Sequence, residues 1–191
     1  MQSQLQQAAV EQPADRARYK EFFRQLRSTE RASASEAYAF ALASLPSLPW
    51  MTRWKAMLEL ADLCKRDNNV KEARHWHEAA VVLRPAEAQV WLDYAKMEEE
   101  VGEAARCGAI LHAGLRHCGN NEVLLTRAVK HEERVGNLQE ARRLLARLRS
   151  VGLTGERAWR TVLEGALMEA RAGNQGTARN AFKFLMKHVP W

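Results

Sequence analysis

The sequence predicts an all-α solenoid of about five stacked helical hairpins. Three observations carry that reading. Ala73, Cys107, Ala141 and Ala178 each open the second helix of a hairpin, at spacings of 34, 34 and 37 residues. Apolar residues recur around each anchor with helical period, and no segment alternates with the two-residue period of a strand. Arg66-Asp67-Asn68-Asn69, Val135-Gly136-Asn137 and Ala172-Gly173-Asn174 stand between paired helices, and each places Gly or Asn where a left-handed residue ends the first helix. A helix–turn–helix unit of this length cannot bury its apolar face alone, so neighbours must stack. A stack of this kind acts through an extended surface rather than a catalytic pocket.

Taken in order, residues 1–14 are Gln- and Ala-rich and polar, and are expected to form a disordered tail. Residues 15–49 read as a degenerate first hairpin. Its first helix places Tyr19, Phe22, Phe23 and Leu26 on one face and is expected to end or loosen at Ser28-Thr29. Its second helix carries Ala37, Phe40, Ala41 and Leu42 and is stopped by Pro46 and Pro49. Residues 50–191 then hold four repeats, approximately 50–85, 86–120, 121–154 and 155–190. Their helices are expected at 50–65, 70–83, 86–101, 103–117, 122–135, 138–150, 155–172 and 175–188. Small residues at the anchors suit an antiparallel crossing in which two helices approach to roughly 8–10 Å. The chain ends Val189-Pro190-Trp191, and Pro49-Trp50 opens an earlier hairpin with the same dipeptide. The last hairpin carries Leu163, Leu167, Phe182, Phe184, Leu185 and Met186, more apolar residues than one face needs. The expectation is an array that continues into a further repeat, or a C-terminal face covered by self-association or by a partner.

Hydrophobic residues make up 47% of the chain and charged residues 27%, enough for a core and against disorder over most of it. No apolar run approaches the ~20 residues of a bilayer span, and the N-terminus lacks the apolar stretch of a secretory signal. No membrane partner is expected. Cys64, Cys107 and Cys118 form an odd set without a CxxC pair, which fits an intracellular, reducing compartment: nucleus, cytoplasm or organelle interior. Cys64 and Cys107 fall on apolar helical positions and read as small buried hydrophobes, whereas Cys118 lies in a polar turn. The net charge is +6, distributed as +1 through residue 49, +2 over 50–86, −3 over 87–120, +3 over 121–155 and +3 thereafter. Patches of alternating sign suit polar partner surfaces.

The repeat-defining residues resemble the tetratricopeptide superfamily, and more narrowly its half-a-tetratricopeptide branch, found in RNA-processing proteins. Trp91, Tyr94 and Glu98 stand at the branch's aromatic, aromatic and acidic positions, and Gly102 follows. The acidic residue recurs at Glu132 and Glu169, each four residues before Gly136 and Gly173. Ala-Arg opens second helices at Ala73-Arg74, Ala141-Arg142 and Ala178-Arg179. Cys107-Gly108 departs from that pattern, and Leu125 and Val162 replace the leading Trp. The resemblance implies a right-handed α–α superhelix and a scaffold in RNA metabolism. The residues by themselves imply a scaffold.

In a stack of this type the first helices line the inner wall. Lys55, Lys65, Arg66, Lys96, Lys130, Arg134, Arg160 and Arg171 share that phase, with Arg127 beside them. Spaced cations suit phosphates, so single-stranded RNA joins other protein subunits as an expected partner. The competing reading is a solvated wall neutralised by Glu99, Glu100 and Glu133. A carboxylate clamp for peptide tails is not expected, because Leu58, Leu92, Thr126 and Leu163 stand where it needs Lys, and Asp62, Lys96, Lys130 and Leu167 where it needs Asn. Glu132 is expected to pair with Arg142, and Glu169 with Arg179, across the turn of each hairpin. His75 and His77 fall on different helix faces and His112, His117 and Cys118 cluster weakly, so no metal or other cofactor is expected. No nucleophile motif, phosphate loop or catalytic carboxylate pair is present, which points to a non-enzyme.

Overall fold

A computed structural model of the chain describes residues 13–150 and 156–188. All regular structure among the described residues is helical, in two compact units, Met1–Pro85 and Ala86–Trp191.

The first unit contains α1 (Pro13–Ala32), α2 (Ala34–Ser44), α3 (Trp50–Arg66) and α4 (Val70–Leu83). Proline at the start of α1 fits a position whose N–H has no helical partner. The break expected at Ser28-Thr29 does not occur. Thr29 Oγ1 donates to the Gln25 carbonyl at 3.0 Å, so its hydroxyl is satisfied inside the helix, which runs on to Ala32. Ser33 then turns extended (φ −160°, ψ 127°) and caps α2 by accepting from the Glu36 amide at 3.3 Å. A short 3-10 turn at Leu45–Ser47, with Pro46 inside it, closes α2. Ala37, Ala41, Ala56, Ala61 and Ala73 are fully buried, as close helix crossings require. Phe22, Leu26 and Leu60 complete the core, and Phe22 stacks on Phe40 at 5.8 Å between centroids. Residues 1–12, most of the expected tail, lie outside the described residues.

The second unit contains α5 (Ala88–Val101), α6 (Ala104–His117), α7 (Glu122–Arg134), α8 (Leu138–Ser150), α9 (Glu156–Arg171) and α10 (Gln175–His188). These form hairpins α5–α6, α7–α8 and α9–α10, with α6 packed on α7 and α8 on α9. The turns follow one design. Asn68 in the first unit and Gly102, Gly136 and Gly173 in the second all take positive φ, between 60° and 90°. The next amide then reaches back to the first helix: Asn69 to Cys64, Glu103 to Glu98, Asn137 to Glu132 and Asn174 to Glu169, at 2.8–2.9 Å.

The four anchors are buried, as are Trp91 and Tyr94. Two glycines of α6 admit large neighbours. A Cβ on Gly114 would stand 2.9 Å from Trp91 Cβ and Cγ, and one on Gly108 would stand 2.8 Å from His131 Nε2. Cys64 and Cys107 are buried, and burial pushes the Cys64 thiol up to about 11. Cys118 is half-buried in its turn. On α10, Leu185 faces the core while Phe184 and Met186 are 52% and 71% exposed. Trp191 lies outside the described residues.

Candidate functional site: a groove in the first-helix layer

The nine cations singled out from the sequence do lie on first helices, but most are engaged. In the first unit Lys55 sits over the Tyr19 ring at 5.3 Å, Lys65 pairs with Asp62 at 3.3 Å, and Arg66 pairs with Glu30 and with Asp62. In the second unit Arg127 and Arg134 converge on Glu99. Lys130 reaches Glu164 at 3.4 Å, and Arg171 grips Glu133 through two bonds of 2.5 and 2.9 Å. Lys96 approaches Glu100 at 3.8 Å on its own helix, and Arg160 lies over the Trp159 ring at 5.5 Å. Neighbouring first helices are thus laced together by ion pairs. Each exposed pair contributes on the order of 0–1 kcal/mol. Their larger effect is to occupy the cations, so a phosphate there must displace a carboxylate.

The repeat glutamates behave differently from expectation. Glu132 does not pair with Arg142, nor Glu169 with Arg179. Each glutamate instead takes the asparagine five residues on: Asn137 Nδ2 donates to Glu132 at 2.8 Å and Asn174 Nδ2 to Glu169 at 2.6 Å. That asparagine fills the place within the hairpin that the arginine was expected to take. Arg142 points instead to the following hairpin and donates twice to Glu169, at 2.7 and 2.8 Å. In α6 the residue equivalent to Arg142 is Gly108, and the His131 ring occupies the vacated space. Burial pushes the His131 imidazole down, which keeps it neutral there. His112, one turn further along α6, meets Glu132 at 2.9 Å and does the work of the missing arginine. The recurring Glu-x-x-x-Gly-Asn string was the sequence signal for this carboxylate–amide pairing.

This geometry gives a pH prediction. The hydrogen bond from Arg142 is the main cause holding the Glu169 carboxyl down at about 2, with Asn174 and the Arg142 charge adding to it and burial opposing. A carboxyl depressed on folding adds stability above its unfolded pKa, near 4.3, and loses it as pH falls towards 2. Arg142→Ala should therefore lower Tm at pH 7 and narrow its gap to the parent between pH 4.5 and 2. Thermal scans across that range check it; a constant gap refutes the linkage.

Between α7 and α9 the layer opens into a groove of about 530 Å3. Its floor is Leu145 and Leu148 of α8, its walls include Val123, Val129, Trp159 and Leu163, and its rim carries Arg127, Lys130, Arg160, Glu122 and Glu164. The groove coincides with the one place where the anchor spacing lengthens from 34 to 37 residues. Leu92, Thr126 and Leu163, three of the four positions lacking the clamp lysine, line it. Its chemistry is an apolar floor under a rim of mixed charge, suited to side chains of another protein rather than to a free carboxylate. Among the described residues no group of three or more His, Cys, Asp or Glu is placed to hold a metal ion, and no helix is long and apolar enough to cross a membrane.

Stacked hairpins with an engaged first-helix layer and an open groove define a helical-repeat scaffold for protein interaction. The chain belongs to the family described as PRP6, TPR-like domain, whose model matches residues 47–191. A TPR-containing protein of Dictyostelium discoideum is 46% identical over 182 residues, which is 95% of this chain and 14% of that protein. The chain therefore spans about a seventh of the length of this relative. A tetratricopeptide repeat protein from Parabacteroides merdae superposes with a TM-score of 0.64 at 16% identity, over 90% of this chain and 67% of that one. TPR-like repeats of a putative kinesin light chain from Podosopora anserina give 0.63 at 14% identity, over 95% and 100%. At these identities the two structures speak for the fold alone.

Proposed function

We propose that this chain is a non-catalytic scaffold segment of an RNA-processing assembly, and that its α7–α9 groove seats apolar side chains of another protein subunit. The groove carries the reading: it is apolar at its floor, open at its mouth, and lies where the repeat lengthens. The family description, PRP6, supplies the link to RNA processing, and the free buried thiols accord with a reducing compartment. Ion pairing of the first-helix cations favours a protein occupant for this layer over a bare RNA strand. The alternative, a tetratricopeptide adaptor unrelated to RNA, predicts the same groove with a different occupant.

A photo-crosslinking amino acid at Val123, which is 60% exposed on the groove wall, separates the two. The expected products in a cell extract are subunits of an RNA-processing complex, lost when Leu163→Glu puts a charge inside the groove. Products that share no tie to RNA support the adaptor. Products insensitive to Leu163→Glu rule out the groove.

A further inference from the structure

Charge in the second unit is sorted by helix layer. The first helices α5, α7 and α9 carry formal charges of −3, 0 and 0. The second helices α6, α8 and α10 carry +2, +3 and +3. The basic surplus therefore sits on the second helices, whereas the cations that sequence phase singled out lie on the first.

Much of it faces solvent. Arg116 on α6 and Lys183 and Lys187 on α10 are exposed, and α10 contains no acidic residue. Arg143 on α8 has a side chain 78% exposed and pairs with Glu140 one turn earlier. Arg147 of α8 reaches the end of α6, donating to Asn120 at 2.7 Å and to the Gly119 carbonyl at 3.0 Å, which sets it beside Arg116's turn. Lys183 and Lys187 are one turn apart, about 6 Å along the axis. Counting from the anchors, Lys183 takes the place that Ala146 takes in α8. Ala146 is exposed although α9 packs on α8, so this face stays open within a stack. Phe184 stands beside Lys183 and is 52% exposed.

We propose that the second-helix face of this unit, through Arg116, Arg143, Arg147, Lys183 and Lys187 with Phe184, binds the phosphate backbone of single-stranded nucleic acid. Cations spread over three helices with an aromatic ring among them match the pattern of sequence-tolerant strand binding, in which charge tracks phosphates and a ring stacks a base. An acidic protein surface is the competing occupant. A stable protein interface has an apolar core, and on α6, α8 and α10 the large exposed apolar residues are Phe184 and Met186 only, among the described residues. The site is separate from the α7–α9 groove, so each can fail without the other.

The test uses the 191-residue chain, a fluorescein-labelled 20-mer of uridine as probe, and fluorescence anisotropy from 50 to 200 mM salt. Lys183→Ala/Lys187→Ala should flatten the slope of log K against log salt by about 1.4, so that the affinity loss across that range is roughly sevenfold smaller. Lys96→Ala/Arg134→Ala, in the first-helix layer and outside the groove lining, should leave the slope unchanged, and circular dichroism should show parental helicity for both variants. Phe184→Ala should weaken binding with the slope unaltered. Absence of binding by the parent, an unchanged slope in the α10 variant, or equal binding of a 20-residue poly-glutamate each overturns the proposal, the last in favour of an acidic protein.

Discussion

Gly114→Ala is expected to destabilise the chain by about 1–3 kcal/mol, the usual cost of forcing extra volume into a packed core. Propensity argues the other way, since alanine in a helix interior is favoured over glycine by about 1 kcal/mol. Geometry decides between them. The new Cβ would stand 2.9 Å from both Cβ and Cγ of Trp91, and no rotamer change can withdraw the Cβ. The indole is itself held, being 6% exposed and stacked on His117 at 5.4 Å. A Tm fall of about 2–12 °C should follow, at 2–4 °C per kcal/mol for a chain of this size. The same substitution in a Trp91→Ala background should be neutral or slightly stabilising, because only the propensity gain remains. Thermal denaturation of the four proteins checks both halves. A Gly114→Ala protein as stable as its parent would mean that the α5–α6 crossing opens to accept a methyl group.

That contact shows where sequence reading stopped. Periodicity and small anchors placed the hairpins and their turns, because helix period and left-handed caps are local properties of the chain. The glutamates were visible as a recurring position, but their partners were not. Ten-residue spacing across a turn places Glu132 and Arg142 at adjacent helix ends, yet side-chain direction decides which hairpin an arginine serves. Arg142 serves the next one. Gly108 looked like a departure from the Ala-Arg pattern; in three dimensions it is a vacancy filled by His131 from the neighbouring helix. The α7–α9 groove was foreshadowed only by three extra residues between Ala141 and Ala178. The ion pairs of the first-helix cations were hidden for a related reason. Phase identifies the face on which Lys130 and Arg171 lie, but Glu164 and Glu133, which hold them, belong to neighbouring hairpins.

Glu132→Leu should cost about 2–4 kcal/mol. Glu132 is 6% exposed, and its carboxylate accepts from Asn137 within its own hairpin and meets His112 of the preceding one. One side chain therefore fixes both the turn of a hairpin and the junction between two. Leucine matches the burial of this position but strands two polar groups. The Asn137 amide loses its acceptor, and His112 loses the partner on its buried side. The cost should fall below the full penalty for a stranded buried charge, because the His112 side chain is 34% exposed and can be hydrated. Glu132→Gln should cost less than Glu132→Leu, since its carbonyl oxygen can still accept from one of the two. A double-mutant cycle with His112→Leu isolates the junction: a coupling of about 0.5–3 kcal/mol is expected for groups in contact. Urea denaturation of parent, singles and double supplies the four stabilities. Additive costs would mean that His112 and Glu132 do not support one another, and that the α6–α7 junction rests on apolar packing and the fit of His131 against Gly108.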